Sequence, residues 1–273
     1  MDWTLLADIA IQAALAAGKR IQESLDQDIQ VEQKPGMESR AAQVVTEVDL
    51  AAERVILKHL SPSCKQYDLA LLSEETEDDG GRFVKNYFWC IDPIDGTLPF
   101  IEKRPGFSVS IALIAKDGTP MIGVVYDPTT DTLYHAIKGQ GAFKNQQPWT
   151  VHCSNKHLTY VTDRKLDDTP RKDEIKQLLQ ELAAEYHLTA VKEIYGGGAV
   201  INAIRVLENG PACKLKFPKP EQGGGSIWDY AATACLFQEL GLPATNFKGG
   251  KLDLNRTENP FMNHEGIFYR NFS

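Results

Sequence analysis

The chain has 273 residues, of which 42% are hydrophobic and 24% charged, and these proportions are typical of a folded globular protein. Acidic residues outnumber basic residues by 37 to 29, so the formal net charge at pH 7 is −8. Because the sequence has no run of five basic residues to hold a phosphate backbone, this balance disfavours nucleic acid polymers and anionic membranes as partners. The longest apolar stretch, Phe107 to Ala115, is much shorter than the ~20 residues that span a bilayer.

The cysteines and the N-terminus indicate the compartment. The five cysteines are odd in number and widely spaced, which excludes a Cys-x-x-Cys metal clip and predicts reduced thiols. The chain begins with Met1, Asp2 and Trp3, without the basic region that precedes the apolar core of a signal peptide. We therefore expect a cytoplasmic protein.

Two amphipathic helices are predicted in the first 60 residues. Apolar residues recur at helical spacing over residues 4–25. The stretch 31–43 lacks periodicity and is predicted to be a loop or hairpin. A second helix is predicted from 46 to 60, where Pro62 stops it, and Asp49 lies in its first turn, which favours a carboxylate.

From about residue 68 the pattern becomes one of strands separated by turns. The predicted strands are short, apolar and bounded by Gly, Pro or Asp. They are Leu69–Leu72, Tyr87–Ile91, Phe107–Ile114, Met121–Tyr126 and Thr132–Ile137.

Three more helices are predicted in the second half. Thr169-Pro170 is predicted to be the N-cap and first residue of a helix that ends near Tyr186, and further helices are predicted over 199–208 and 228–240. Strands on both sides of long helices indicate an α/β (α+β) protein built in layers. We expect a seam near residue 150, which divides the chain into residues 1–150 and residues 151–273.

Three apolar segments of the sequence run directly into carboxylates. The first ends at Glu74, the second continues into Asp92-Pro93-Ile94-Asp95, and the third precedes Asp229. Neighbouring carboxylates in apolar surroundings raise one another's pKa values unless a cation lies between them. Because the donors are all oxygen, this pattern favours Mg²⁺ or Mn²⁺ over Zn²⁺. Two or more such ions would neutralise a phosphate, position a water molecule and stabilise a leaving oxygen.

Two glycine-containing segments are candidates for phosphate binding. Gly96-Thr97 is predicted to open a helix whose free N–H groups accept a phosphate oxygen. The run Gly196–Gly198 also precedes a predicted helix, and both an anion cradle and a plain turn remain open for it. A phosphatase with an aspartyl nucleophile is excluded, because its Asp-x-Asp motif would need an aspartate at position 93, where proline stands.

In order and spacing, these motifs resemble the inositol monophosphatase superfamily, the Mg²⁺-dependent, lithium-sensitive phosphomonoesterases that include inositol monophosphatases and 3'(2'),5'-bisphosphate nucleotidases. The matching motifs are Thr46-Glu47-Val48-Asp49, Ser73-Glu74-Glu75, Asp92-Pro93-Ile94-Asp95-Gly96-Thr97 and Trp228-Asp229-Tyr230-Ala231-Ala232. The resemblance implies a layered α/β/α/β/α sandwich of the inositol monophosphatase and fructose-1,6-bisphosphatase type. It also implies a small phosphorylated substrate and a monomer or homodimer.

The resemblance assigns a metal-binding role to five residues. Glu74, Asp92 and the Ile94 carbonyl would hold one Mg²⁺ ion, and Asp92, Asp95 and Asp229 would hold a second. A third, weaker ion would be bound through waters on Glu74.

The resemblance also assigns catalytic and substrate-binding roles. Thr97 and Asp49, together with Glu74, would orient and activate the attacking water, and the amides of Gly96 and Thr97 would bind phosphate. The expected contacts with the rest of the substrate are Gly197, Ala199 and Gln222. Residues 34–39 correspond to a mobile loop that closes over the metals.

The substrate is expected to be 3'-phosphoadenosine 5'-phosphate, with inositol 1-phosphate as the alternative. Residues 100–114 and 250–255 look closer to the bacterial bisphosphate nucleotidases. The chain departs from that branch at Leu98-Pro99, where a Lys-Glu pair is usual, and from the inositol branch at Gln222, where an acid that binds inositol hydroxyls is usual. A non-catalytic sugar-phosphate-binding protein with the same fold is the alternative of another class. Three lysines would either meet a second phosphate or form a solvated face: Lys214, Lys216 and Lys219.

Overall fold

The computed structural model describes residues 1–25, 31–33 and 44–272. The α-helices in these ranges are α1 (Trp3–Gln22), α2 (Glu47–Tyr67), α3 (Thr97–Ile101), α4 (Lys172–Glu185), α5 (Ala199–Glu208) and α6 (Ile227–Glu239). The strands are β1 (Val31–Gln33), β2 (Val44–Thr46), β3 (Ala70–Ser73), β4 (Tyr87–Asp95), β5 (Ser108–Ala115), β6 (Pro120–Asp127), β7 (Thr132–Ile137), β8 (Gly141–Lys144), β9 (Gln147–Pro148), β10 (Leu158–Thr162), β11 (Val191–Tyr195), β12 (Ala212–Lys216), β13 (Ala244–Thr245) and β14 (Ile267–Asn271).

The larger sheet has seven strands in the order β3-β4-β5-β6-β7-β8-β9. Strands β3 and β4 are parallel, and the other neighbours are antiparallel. Along β4, Trp89 and Ile91 pack with α1 and α2, whereas Phe88 and Cys90 pack with α5 and α6. Helices on both faces explain why this strand is an almost continuous apolar run.

The smaller sheet has five strands in the order β11-β10-β12-β14-β13. Its inner face packs against α5 and α6, for example through Ala212 and Tyr269. Its outer face packs against α4, for example through Cys213 and Leu215. The layers are therefore α1 and α2, the larger sheet, α5 and α6, the smaller sheet, and α4, which confirms the predicted α/β/α/β/α sandwich.

The division of the chain near residue 150 stays a prediction. The larger sheet ends at Pro148 and the smaller one begins at Leu158, but α5 and α6 pack against both sheets in one continuous core. No helix within the described ranges is both long enough and apolar enough to cross a membrane.

Helix α2 continues past Pro62, so the prediction that this proline stops the helix is wrong. Pro62 lacks the amide that would bond to the Lys58 carbonyl one turn earlier. Both residues lie on the exposed face of α2, where water satisfies a carbonyl. On the buried face, Trp89 Nε1 donates a hydrogen bond to Ser63 Oγ at 3.0 Å, which holds the last turns of α2 against β4.

The predicted start of α4 is also wrong. Thr169 and Pro170 are not its first residues, because the helix begins at Lys172 after Arg171, which has a φ of 61°. The Thr169 hydroxyl instead donates a hydrogen bond to the Lys165 carbonyl at 3.0 Å, across the short 3-10 helix at 166–168. The Thr169 side chain therefore stabilises a local turn and does not cap α4.

Candidate active site

Strand β4 is longer than the sequence pattern predicted. The apolar run ends at Ile91, but the strand continues through both aspartates to Asp95. Pro93 lies between Asp92 and Asp95, where the register with β5 shifts. Because a regular ladder is interrupted at this point, a residue without an amide is tolerated.

The shift of register turns two carboxylates toward one face of the larger sheet. In a regular strand, residues three apart point to opposite faces. Here Asp92 pairs with Ser110 and Asp95 pairs with Ser108, so three steps along β4 oppose two along β5. This bulge places the side chains of Asp92 and Asp95 on the same face.

A third carboxylate reaches this face from the first turn of α6. The Ser110 hydroxyl donates a hydrogen bond to the Trp228 carbonyl at 3.2 Å, which fixes the start of α6 against β5. One carboxylate oxygen from each of Asp92, Asp95 and Asp229 lies within 4.8 Å of the other two. Asp92 and Asp95 are buried, and Asp229 is half-buried.

Glu74 lies at the same edge of the sheet because β3 and β4 run parallel and end together. Its N–H donates a hydrogen bond to the Ile91 carbonyl at 3.2 Å, directly beside Asp92. The structure therefore brings together the four carboxylates that the sequence singled out.

Thr97 and Asp49 also lie together, although 48 residues separate them in the sequence. Asp49, in the first turn of α2, is 2% exposed. Thr97 Oγ1, at the start of α3, is 3.5 Å from Asp49 Oδ1 and 3.3 Å from the carbonyl oxygen of Ile94. The single hydroxyl proton of Thr97 thus has two acceptors on the wall of the carboxylate cluster.

Comparison with known proteins decides the family. The sequence profile described as "Inositol monophosphatase family" matches residues 2–268. The chain belongs to the inositol monophosphatase family.

Relatives within this family carry two different enzyme names. The inositol-1-monophosphatase of Synechocystis sp. is 33% identical over 251 residues, which cover 91% of this chain and 81% of that protein. The 3'(2'),5'-bisphosphate nucleotidase CysQ of Shigella flexneri is 31% identical over 230 residues, which cover 80% of this chain and 82% of that protein. The inositol monophosphatase structure from Anabaena superposes with a TM-score of 0.72 at 27% identity and covers 100% of this chain and 93% of that one.

Members of the inositol monophosphatase family are metal-dependent phosphatases, and the carboxylate cluster fits a divalent metal ion. Burial raises the pKa of Asp92 well above its ordinary value, and the charges of Glu74, Asp95 and Asp229 raise it further. Burial, together with Asp229, raises the pKa of Asp95 to about 7. A hard dication among these oxygens would relieve both the desolvation and the mutual repulsion.

Two helix N-termini anchor the carboxylates of this phosphatase. Asp95 Oδ1 accepts a hydrogen bond from the Ala199 amide at 2.8 Å, and its Oδ2 accepts one from the Val200 amide at 3.0 Å. Asp229 Oδ2 accepts a hydrogen bond from the Ser226 amide, before α6. Because an ionised carboxylate has about four acceptor positions, these bonds orient the groups and leave lone pairs for a cation.

The candidate phosphate-binding segments are packed backbone against backbone. Gly96 has a φ of +88°, and a Cβ there would lie 2.6 Å from the Gly106 carbonyl oxygen. The Gly198 amide donates a hydrogen bond to that carbonyl at 2.8 Å, and a Cβ on Gly198 would collide with Asp95. Only glycine permits this close approach of three segments. Gly96 and Thr97 thus lie at the start of α3, beside the carboxylates.

The other predicted substrate contacts lie in two places. Ala199 is beside the carboxylates, with its amide bonded to Asp95, and the Gly197 carbonyl accepts a hydrogen bond from Asn202 Nδ2 at 2.8 Å. Gln222 is exposed in the loop before α6 and lines a cavity of about 520 Å³. The predicted mobile loop at 34–39 lies outside the described residues.

Sequence reasoning missed Glu53. This carboxylate lies one turn after Asp49 on α2 and is 6% exposed. It accepts hydrogen bonds from the hydroxyls of Ser73 and Thr76, on either side of Glu74. Its spacing of four residues from Asp49, on the buried face of an amphipathic helix, was the available signal.

The expectation of a solvated lysine face is wrong for Lys214, which is 1% exposed. Lys214 and Lys216 both contact Asp163, at 3.2 and 2.9 Å. Lys214 is therefore part of the interior behind the carboxylates, and Lys216 beside it is half-buried. Their alternation along a short apolar strand was the signal that sequence reasoning did not use.

Proposed function

We propose that this phosphatase hydrolyses 3'-phosphoadenosine 5'-phosphate to AMP and phosphate. The observation that carries this choice is the cavity beside Gln222, which Lys219, Arg256 and His264 also line. A neutral amide stands where the inositol branch usually has an acid, and basic side chains favour a substrate with a second anionic group. The 31% identity to the Shigella flexneri nucleotidase supports the same substrate class.

We propose Mg²⁺ as the natural cofactor, with Mn²⁺ as a substitute. Glu74, Asp92 and the Ile94 carbonyl would hold one ion, and Asp95 and Asp229 would share a second with Asp92. When bound, such ions neutralise the phosphate charge and lower the pKa of a coordinated water.

In this proposal, Thr97 and Asp49 direct the attacking water. Asp49 Oδ1 is placed to accept the proton of the Thr97 hydroxyl, which leaves the Thr97 oxygen free to accept a hydrogen bond from the water. The amides at the start of α3 hold phosphate oxygens. The water oxygen bonds to phosphorus as the ester P–O bond breaks, and the proton that this water loses is balanced by the proton that the leaving ribose oxygen takes up.

Inositol 1-phosphate is the second candidate substrate. It is favoured by the 33% identity to the Synechocystis inositol-1-monophosphatase, which extends over 91% of this chain. The reaction and the residues that direct the water would be the same.

Phosphate release from the two substrates, measured side by side with Mg²⁺, tests this proposal. We expect kcat/KM to be at least roughly tenfold higher for the adenosine bisphosphate, since a hydrogen bond to its charged second phosphate would contribute about 1.5–3 kcal/mol. Lys219→Gln is expected to raise the KM for the bisphosphate several-fold and to leave that for inositol 1-phosphate unchanged. A higher kcat/KM for inositol 1-phosphate would reverse the assignment.

A further inference from the structure

Two lysines lie between the sheets of this phosphatase, directly behind the carboxylate cluster. Lys214 and Lys216 are two residues apart on β12, so their side chains share one face of the strand. Ala212, on the same face, packs into the core formed with α5 and α6, whereas Cys213 and Leu215 pack on the opposite side with α4. The two ammonium groups therefore point into the layer of α5 and α6. This layer carries Asp229 and the Ala199 and Val200 amides that bind Asp95.

Asp163 holds both lysines in place. Lys214 Nζ is 3.2 Å from Asp163 Oδ1, and Lys216 Nζ is 2.9 Å from Asp163 Oδ2. Asn202 Nδ2, on α5, is also 3.1 Å from Asp163 Oδ1. Although partial burial opposes ionisation, the two lysines hold the pKa of Asp163 well below its usual range. One carboxylate thus meets two ammonium groups, which leaves a net positive charge.

This positive charge lies close to both Asp95 and Asp229, which belong to the second proposed metal site. Lys214 Nζ donates a hydrogen bond to the Ala199 carbonyl at 3.2 Å, and the Ala199 amide donates to Asp95. Lys216 Nζ lies 6.0 Å from the centre of the Tyr230 ring, next to Asp229 in the sequence. Burial and Asp229 raise the pKa of Asp95, and Lys214 lowers it. Both lysines likewise oppose the effect of burial on the pKa of Asp229.

We propose that Lys216 and Lys214, held by Asp163, are a counter-charge for Asp95 and Asp229, the two carboxylates that share the second proposed metal site with Asp92. The lysines reduce the repulsion between these carboxylates before any metal ion is bound. The lysines also weaken the binding of the ion in this second site, because an ammonium group and a dication repel each other. This inference rests on the metal centre proposed above and assigns to these lysines the setting of its affinity.

The test is a titration of the metal-free protein with Mn²⁺, in which free Mn²⁺ is measured by electron paramagnetic resonance. Lys216→Met removes the more exposed of the two charged side chains. The Lys216 side chain is 24% exposed, and the Lys214 side chain is 2% exposed. We expect the Kd of the Mn²⁺ ion held by Asp95 and Asp229 to fall roughly tenfold, a modest effect for one unit charge acting on a dication inside a protein. Lys216→Arg keeps the charge and is expected to keep the wild-type Kd.

A second measurement separates a counter-charge from a purely structural role. In EDTA, the urea midpoint of Lys216→Met is expected to be lower than that of the wild type, while its Mn²⁺ affinity is higher. Damage to the fold would lower both. Lys216→Gln, which keeps a polar end beside Asp163, provides a second neutral variant, so that the result does not depend on methionine being accommodated.

Each outcome of the titration is decisive. Tighter Mn²⁺ binding in both neutral variants, with an unchanged arginine variant, supports the counter-charge. An unchanged or weaker affinity in the neutral variants, with normal binding by the wild type, overturns this inference alone. A wild-type protein that binds no Mn²⁺ overturns the proposed metal centre, and this inference with it.

Discussion

The hydroxyl of Thr97 occupies a point where one proton has two acceptors, the Asp49 carboxylate and the Ile94 carbonyl. When the Thr97 hydroxyl donates its proton to one of these acceptors, the lone pairs of its oxygen point in a fixed direction. That direction is what a water-orienting residue requires. The position of Asp49 in the first turn of α2 gives its carboxylate a favourable interaction with the helix dipole.

Thr97→Ala is expected to lower kcat by about 10²- to 10⁴-fold, the usual contribution of a positioned acid–base group. Thr97→Ser keeps the hydroxyl and is expected to retain at least a tenth of the wild-type kcat. Mn²⁺ binding should be unchanged in both variants, because the Thr97 side chain is not a proposed ligand. Full activity of the alanine variant would remove Thr97 from the water-activating role.

Asp95 makes the metal-free protein sensitive to pH. Its pKa is about 7 in the folded protein, against an ordinary value of 3.8, because of burial and Asp229. The folded state therefore holds a proton more strongly than the unfolded state. As the pH rises from about 4 to about 7, this difference lowers the free energy of unfolding, and above pH 7 the loss is complete.

The comparison of wild type with Asp95→Asn isolates this effect. In EDTA, the wild type is expected to lose stability relative to the variant between pH 5 and pH 7.5, as measured by urea unfolding at each pH. With metal present, the same proton must be displaced, so Mn²⁺ affinity of the wild type should fall as the pH drops below 7. Parallel pH curves for the two metal-free proteins would contradict the shifted pKa.

At the scale of elements, the centre is assembled from the ends of β3 and β4 and from the starts of α2, α3 and α6. Parallel pairing of β3 with β4 brings Glu74 beside Asp92, and the bulge in β4 turns Asp95 to the same side. Helix starts carry partial positive charge, so they are suited to hold carboxylates. The site therefore forms only if the relative positions of these elements are as precise as a hydrogen-bond distance requires.

Glu53 is the contact that locks α2 to the end of β3. Its Oε1 accepts hydrogen bonds from Ser73 Oγ and from Thr76 Oγ1, the latter at 2.9 Å. Glu53→Gln keeps an oxygen that accepts both bonds, whereas Glu53→Leu leaves two hydroxyls without an acceptor. We expect the leucine variant to lose more than about tenfold in kcat and about 1–3 kcal/mol in stability, and the glutamine variant to lose little of either.

Steady-state kinetics and urea unfolding of the two Glu53 variants check this expectation. If Glu53→Leu matches the wild type in both measurements, Glu53 does not lock α2 to the end of β3. If glutamine and leucine are equally damaging, the negative charge matters rather than the hydrogen bonds.

At the scale of the whole molecule, the layered architecture was predictable from the sequence, because its helices and strands have clear periodicity. The convergence of Glu74, Asp92, Asp95 and Asp229 was also predictable, since each follows or opens an element next to an apolar run. The bulge between Asp92 and Asp95 was not, because it depends on the register with β5.

Contacts between distant parts of the chain explain most of what the sequence could not predict. Asp163 and Lys214 are 51 residues apart, so the alternation along β12 indicates a shared face for its lysines but does not identify the partner that they meet there. Beyond Pro62, α2 is bonded to β4 through Trp89 and Ser63, which is likewise a tertiary contact. In both cases packing outweighed a local preference.

The cluster of Asp92, Asp95 and Asp229 is proposed to hold the metal ions of a phosphomonoesterase, with Asp92 as the ligand of both ions. The most direct measurement is phosphate release from 3'-phosphoadenosine 5'-phosphate and from inositol 1-phosphate by the wild type and by Asp92→Asn, each freed of metal with EDTA and then supplied with Mg²⁺. We predict that the wild type is active only after Mg²⁺ is added, and that Asp92→Asn stays several orders of magnitude slower on both substrates while its circular dichroism spectrum is unchanged. Equal turnover by the folded Asp92→Asn variant would contradict this account.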